Sequence, residues 1–334
     1  MNGSDESVNY NRVAPVPAAS ARASGSQKAV THRMEKKMRL SIGAALAAVA
    51  LVTGGFAAEP KSRPASVGAV ESLQLSASVE RGRQIMPLAP GMEIKAGDRI
   101  NTGPRSRLEL KLADGSTLKL GQGGSLFFDK AQVRENGVFE AALFVAEGAF
   151  RFTTGALSKT AGKRDVTIAV NNVTAGIRGT DLWGKSTKES DIVCVIEGSV
   201  EVTPPGEKPF TLDQPLSYYA LEGNLSKPVV TVLADTFREW AAETEQEPGK
   251  GVATRSGKWK IRAAAVKKSG EAFEIYSALR KAGYPSEIVP EKAGEARVYG
   301  VRLSNFESEK DAKSVVEALK RQADLAKYQF KVGM

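Results

Sequence analysis

Between Glu71 and Val202 short apolar-alternating runs succeed one another with turn residues between them and no sustained helical period. That pattern confines this stretch to an all-β layer. Arg107-Leu108-Glu109-Leu110-Lys111-Leu112 alternates charged and apolar side chains, as a strand with one buried face must. Ala113-Asp114-Gly115 follows, then Leu118-Lys119-Leu120, which predicts a hairpin closed by an Asp-Gly turn. Val145-Ala146-Glu147-Gly148-Ala149-Phe150-Arg151-Phe152 and Val195-Ile196-Glu197-Gly198-Ser199-Val200-Glu201-Val202 repeat one another in residue type. Each is expected to form two short strands around an acid-Gly turn. Gly115, Gly148 and Gly198 are therefore expected at structural turns that need a positive φ or a tight bend. Repeated units of this kind predict a curled β-sandwich, roll or short solenoid. Acid-Gly pairs are common turn chemistry, so they point to β structure and not to a ligand.

The rest of the chain divides by composition. Residues 59–69 read as a Pro/Ser-containing spacer. The β domain is expected over 70–246. Its closing strands fall in the Pro-punctuated stretch 204–233, and a short helix spans Ala234 to Glu245 with Phe237, Trp240 and Ala241 on one face. Residues 247–257, with Pro248-Gly249-Lys250-Gly251, read as a flexible linker. Residues 258–334 then change character. A strand from Trp259 to Val266 precedes a helix starting at Ser269, with Ala272, Phe273, Tyr276 and Leu279 expected on its apolar face and Gly283 and Pro285 stopping it. Strands at Glu287–Val289 and Arg297–Leu303 follow. Ser308 and Asp311 open a second helix with a capping-box-like pair, and its stripe is Ala312, Val315, Val316, Leu319 and Ala323. Tyr328–Val332 is the last strand. The order βαββαβ predicts an α+β, ferredoxin-like open sheet with both helices on one face. The fold class is thus multidomain, all-β followed by α+β.

Catalysis is poorly provided for. The sequence holds one His, His32, and one Cys, Cys194. His32 lies upstream of a secretory pattern, which excludes Ser-His-Asp and Cys-His chemistry and His-bearing metal sites from a processed chain. Cys194 sits in the apolar run Ile192 to Ile196 and is expected to be a buried structural thiol. Asp114, Asp181, Glu147 and Glu197 are explained as turn and strand-edge residues. No nucleophile–base pair forms a recognisable motif, so a non-enzymatic protein without cofactor or metal is expected. The net charge of +9 is uneven: Ser256 to Met334 carries 16 Lys/Arg against 10 Asp/Glu. The basic surface therefore belongs mainly to the last domain and should attract an acidic partner.

Residues 34–58 read as a secretory signal peptide. Arg33, Lys36, Lys37 and Arg39 form a positive region, Leu40 to Val52 an apolar one, and Gly55-Phe56-Ala57 a small-residue cleavage site, with processing expected after Ala57 or Ala58. The uncharged run from Leu40 to Ala58 also approaches the length of a membrane anchor. Residues 1–33 read as a Ser/Ala-rich disordered or non-native extension. A periplasmic location follows, with inner-membrane anchoring as the alternative.

Two stretches resemble known families. Ala96-Gly97-Asp98-Arg99-Ile100-Asn101-Thr102-Gly103, then Ser106 to Leu110 and Asp114-Gly115-Ser116, resemble the opening of the FecR-like domain. Thr174 to Trp183 and Val195 to Val200 resemble its later signatures. The resemblance implies a periplasmic all-β domain, coupled in some members to sigma-factor signalling. Here no sizeable cytoplasmic domain precedes the apolar segment, a departure from those regulators. Trp259-Lys260-Ile261-Arg262 and Tyr299-Gly300-Val301-Arg302-Leu303-Ser304-Asn305-Phe306 resemble the first and third strands of the SPOR domain. That resemblance implies binding of peptidoglycan glycan strands lacking stem peptides, on the exposed sheet face. Arg262 stands where family members often carry an amide, and Ala264-Ala265 replaces the usual small-polar strand end.

Strand phase points to the same face. With Ile261, Val301 and Leu303 under the helices, Lys260, Arg262 and Arg302 emerge on the open side. Gly300 would let a ligand approach the backbone, and the loop at Asn305 completes the expected glycan site. Arginine donors suit sugar hydroxyls and muramyl carboxylates. The β domain is expected to serve as a scaffold or interaction module, with another envelope protein as its partner. The alternative is a membrane-anchored signalling regulator of the FecR type. A sheet binding nucleic acid would need stacking aromatics, and this face carries Lys, Arg and Gly instead.

Overall fold

The computed structural model describes residues 66–134, 136–155, 164–177 and 179–334. The extension at 1–33, the secretory pattern at 34–58 and residues 59–65 of the spacer lie outside the described residues, as does Arg178.

The alternating runs become a two-sheet sandwich. In chain order its strands are β1 (Ser66–Gln74), β2 (Ala77–Arg81), β3 (Gln84–Pro87), β4 (Glu93–Lys95), β5 (Asp98–Thr102) and β6 (Arg107–Leu112). Next come β7 (Thr117–Leu120), β8 (Ser125–Val133), β9 (Phe139–Thr153), β10 (Arg164–Val170), β11 (Val173–Ile177) and β12 (Asp181–Ser186). The closing set is β13 (Ser190–Glu197), β14 (Val200–Thr203), β15 (Phe210–Leu212), β16 (Ser217–Glu222), β17 (Leu225–Ser226) and β18 (Val230–Thr231). One sheet runs β1-β6-β7-β9-β12-β13-β16. The other runs β3-β2-β5-β8-β9-β10-β11-β14-β15. Among the described residues the β9–β10 pair alone is parallel. Leu108, Leu110 and Leu112 of β6 are buried together with Phe128, Phe150, Phe152, Ile168 and Val193, so the alternating residues of both sheets build one core.

The acid-Gly pairs serve two purposes, and the expectation of three like turns needs correcting. Asp114-Gly115 does close the β6–β7 hairpin: Gly115, at φ 82°, donates its N–H to the Leu112 carbonyl at 2.9 Å. Gly148 instead lies inside the continuous strand β9. Glu147 is opposite Ser125 in one sheet, and Gly148 is opposite Ser186 in the other. Gly198 likewise joins β13 in the first sheet to β14 in the second. Both are corners where the chain changes sheets, with φ of 93° and 88°. Such a corner needs a sharp local bend that a left-handed glycine supplies.

Helix α1 (Ala234–Ala242) covers the outer side of the first sheet. Its Trp240 stacks on Trp183 of β12 at 4.9 Å and meets Tyr218 of β16 edge-on at 5.3 Å. Cys194 is wholly buried in this cluster, and burial pushes its thiol up to about 12.

The second layer contains β20 (Trp259–Val266), α2 (Ser269–Lys281), β21 (Glu287–Ala293), β22 (Ala296–Phe306), α3 (Glu309–Lys320) and β23 (Lys331–Gly333). Pairing gives the spatial order β21-β22-β20-β23, all antiparallel, as a βαββαβ sheet requires. Ile261, Ala263, Val301 and Leu303 pack under Ala272, Ile275 and Leu279 of α2 and Ala312, Val315 and Leu319 of α3. The apolar face expected for α2 holds at Ala272, Leu279 and the half-buried Tyr276, but Phe273 is 61% exposed and stacks on Tyr276, and Ile275 is buried in its stead. Gly283, at φ 86°, ends α2 by donating to the Arg280 carbonyl, and Tyr284 donates to that of Leu279, a Schellman closure.

The stretch expected to be a flexible linker, 247–257, is tied down. It contains β19 (Val252–Thr254), which pairs with Ser72–Gln74 of β1 and places Ala253 opposite Phe306 of β22. Asp311, wholly buried, accepts the N–H groups of Gly251 and Val252 at 3.0 and 2.8 Å. The expected spacer is also shorter than its range, because β1 starts at Ser66. All the described residues lie in one compact unit.

Candidate functional site

The open face of the second layer is built from β21, β22, β20 and β23. Arg262 and Arg302 are directly opposite one another across β20 and β22. On the other side of β20, Arg262 is opposite Lys331 and Lys260 is opposite Gly333. Cross-strand neighbours on one face lie ~5 Å apart, so three adjacent strands deliver their cations to one place. Lys260, Arg262, Arg302 and Lys331, with Glu291 and residues 332–334, line an open groove of about 300 Å³. A bulge between Arg262 and Ala264 bends β20 at this point and turns its end away from strict alternation.

The groove is not the bare basic surface that strand phase suggested. Arg262 pairs with Glu291 at 3.0 Å, and Arg302 pairs with Glu287 at 2.8 Å. The Ser304 hydroxyl donates to the same Glu287 oxygen at 2.5 Å. Burial pushes the Glu287 carboxyl up, but the Ser304 and Arg302 hydrogen bonds, with Arg302 and Lys260 charge, outweigh it and hold it below the usual range. Gly300 does not present open backbone either. A Cβ there would run into the Glu291 carboxylate, so that side chain lies over the glycine. Asn305 is absent from the groove lining. It takes φ 74° near the end of β22, where Gly257 packs against its carbonyl, so its part is in the turn of the backbone.

The structure thus brings Lys260, Arg262 and Arg302, three of the expected site residues, to one groove, and adds Lys331, Glu287 and Glu291, which strand phase on β20 and β22 did not reach. The two acids share a phase on β21 with Val289 and could have been found by alternation. The strand expected at Glu287–Val289 runs on through Pro290 to Ala293, because β21 is an edge strand, paired on one side by β22, where proline is tolerated. Chemically the groove offers cationic donors and two exchangeable carboxylates. Among the described residues no group of three or more His, Cys, Asp or Glu could hold a metal ion, and no helix is long and apolar enough to cross a membrane.

Comparison with known proteins places two families on the chain. The model described as FecR protein matches residues 98–201, and that described as SPOR domain matches residues 255–329. Neither is a catalytic family. Among curated proteins none matches the sequence. Two crystal structures of a protein described as a candidate anti-sigma factor from Parabacteroides distasonis ATCC 8503 are similar. One is 16% identical with a TM-score of 0.35, covering 68% of this chain and 92% of that one. The other is 15% identical with a TM-score of 0.36, covering 68% and 91%. Both likenesses are too loose to carry a functional argument.

Proposed function

From a chain that joins a FecR domain to a SPOR domain, we propose a non-catalytic cell-envelope protein that holds peptidoglycan through the groove on its open sheet. The domains we assign are 70–246 for the FecR part and 258–334 for the SPOR part, with export by the segment at 34–58 and a periplasmic location. The observation that carries the reading is the convergence of Lys260, Arg262, Arg302 and Lys331 in one open groove on a SPOR fold.

Glycan strands without stem peptides suit this groove. Removing the peptide frees the lactyl carboxylate of each muramyl residue. That carboxylate can take the place of Glu291 on Arg262 or of Glu287 on Arg302, exchanging one ion pair for another of similar geometry. Sugar hydroxyls then fill the remaining donors of both guanidinium groups and of Lys260 and Lys331. Because each arginine is already paired, the exchange gains less than a fresh ion pair would. Hydrogen bonds to charged groups contribute ~1.5–3 kcal/mol each, and the lower end applies here.

The test is co-sedimentation of the full chain with purified sacculi, with and without amidase pretreatment. Arg262→Ala with Arg302→Ala should weaken binding by about tenfold to a hundredfold at unchanged melting temperature. Glu291→Gln should tighten it several-fold, since it frees Arg262 and removes a competing carboxylate. Undiminished binding by a folded double variant, or no response to amidase, would move the glycan off this face.

A further inference from the structure

A second groove, of about 400 Å³, is lined by residues of both layers, from β1 and the loops beside it to α3, and shares none with the first groove. We propose that it binds an extended acidic peptide segment of a partner protein, a role separate from the glycan reading above.

Four cations from four segments face this groove. Arg105 follows β5, Arg107 opens β6, Lys250 precedes β19, and Arg321 caps the end of α3. Only Arg107 is committed, to Glu247 at 3.3 Å. Arg105, Lys250 and Arg321 are exposed and form no ion pair among the described residues. Against these stands one further carboxylate, Glu317. Three uncommitted cations converging in one concave place raise the local potential and favour an anionic ligand.

The backbone at the groove is held in a costly shape. Leu75 and Arg105 are both non-glycine residues in the left-handed region, at φ 60° and 57°. Gln122 Oε1 accepts the Arg105 N–H at 3.0 Å, and Gln74 Nε2 donates to the Arg105 carbonyl at 3.1 Å. The same Gln74 accepts the Glu247 N–H at 2.8 Å, so one buried amide fixes both walls. The groove is thus organised before any ligand arrives, which lowers the ordering cost of binding.

The surroundings select the kind of anion. Helix α3 presents Ser314, Glu317, Ala318 and Arg321 along one side, and its carboxyl end carries a partial negative charge. A compact dianion would meet that end, Glu247 and Glu317 at once. Single carboxylates spaced along a peptide meet the cations separately and match guanidinium groups bidentately. Leu75 and Ala318 supply apolar floor for the peptide between its charges.

The experiment uses the full chain and a fluorescein-labelled peptide of alternating Asp and Gly, read by anisotropy at low salt. Expected is saturable binding that weakens with added salt, and none by an alternating Ser and Gly peptide. Lys250→Gln with Arg321→Gln should weaken binding by about tenfold and leave sacculus binding unchanged. Both side chains are exposed and unpaired, so the fold should persist. Adding Arg105→Asn, which keeps a residue tolerant of the left-handed region, should remove the rest. Failure of the acidic peptide to bind overturns the proposal, as does equal binding by the double variant or by the Ser-Gly peptide. Tight binding of pyrophosphate that the peptide cannot displace would assign the groove to a compact anion instead and overturn it too.

Discussion

At the scale of single residues, chemistry follows from what lies next to a backbone atom. The three acid-Gly pairs look alike in sequence, yet their glycines differ. A Cβ on Gly115 would meet nothing within 4 Å, whereas one on Gly148 would sit 2.6 Å from Gly124 Cα, and one on Gly198 2.7 Å from the Gly179 carbonyl. Gly115→Ala should therefore carry only the left-handed penalty, ~1 kcal/mol. Gly148→Ala and Gly198→Ala add backbone crowding to it and should cost about 2–4 kcal/mol each. Denaturant melts of the three variants would show this ordering, and three equal losses would contradict the sheet-crossing role. Positive φ was legible from the Asp-Gly and Glu-Gly pairs. The neighbour across the sandwich was not, because it comes from residues far along the chain.

At the scale of elements, α3 shows how one side chain can do two jobs. Ser308 accepts the Asp311 N–H at 3.1 Å, the cap that the Ser308–Asp311 spacing predicted. The carboxylate of Asp311 also accepts two N–H groups of the stretch before and within β19. Asp311→Ala would leave two buried donors without an acceptor, at ~1–3 kcal/mol each. A loss of about 3 kcal/mol is expected, with Asp311→Asn milder because it retains one acceptor oxygen. Thermal unfolding of both variants checks this, and wild-type stability in Asp311→Ala would mean that the clamp does not hold the segment. Sequence placed α2 and most of its inner face correctly: Ala272 and Leu279 are buried as expected, and Tyr276 is half-buried against the core. Phe273 was put inward by hydrophobicity alone, but it is exposed and Ile275 fills the core instead.

At the scale of the whole molecule, β19 decides how the layers communicate. It is hydrogen-bonded to β1 of the sandwich and reaches β22 of the second layer. Loops of the two layers also touch, since a Cβ on Gly283 would come within 3.1 Å of Ser76 Cβ. A flexible linker would give two independent calorimetric transitions. With this bridging the full chain should unfold in one, or in two that shift together when Asp311→Ala loosens the segment. Two well-separated transitions, with only the later-layer one moved by Asp311→Ala, would restore the picture of tethered, independent domains.

Sequence alone determined what rests on local period and local chemistry. Alternation in Arg107–Leu112 specified strands, Asp114-Gly115 a hairpin, Ser308 and Asp311 a helix start, and the βαββαβ order a sheet with one open face. It also determined which residues of β20 and β22 share that face, since strand phase is a property of each strand by itself. Tertiary structure decided whatever depends on which strand lies beside which. Glu291 and Glu287 neutralise Arg262 and Arg302 because β21 pairs with β22 in one register. Gly148 and Gly198 are corners because two sheets stack there. Residues 247–257 are structured because Ser72–Gln74 and Asp311, remote in sequence, supply the partners that its Pro- and Gly-rich composition could not announce.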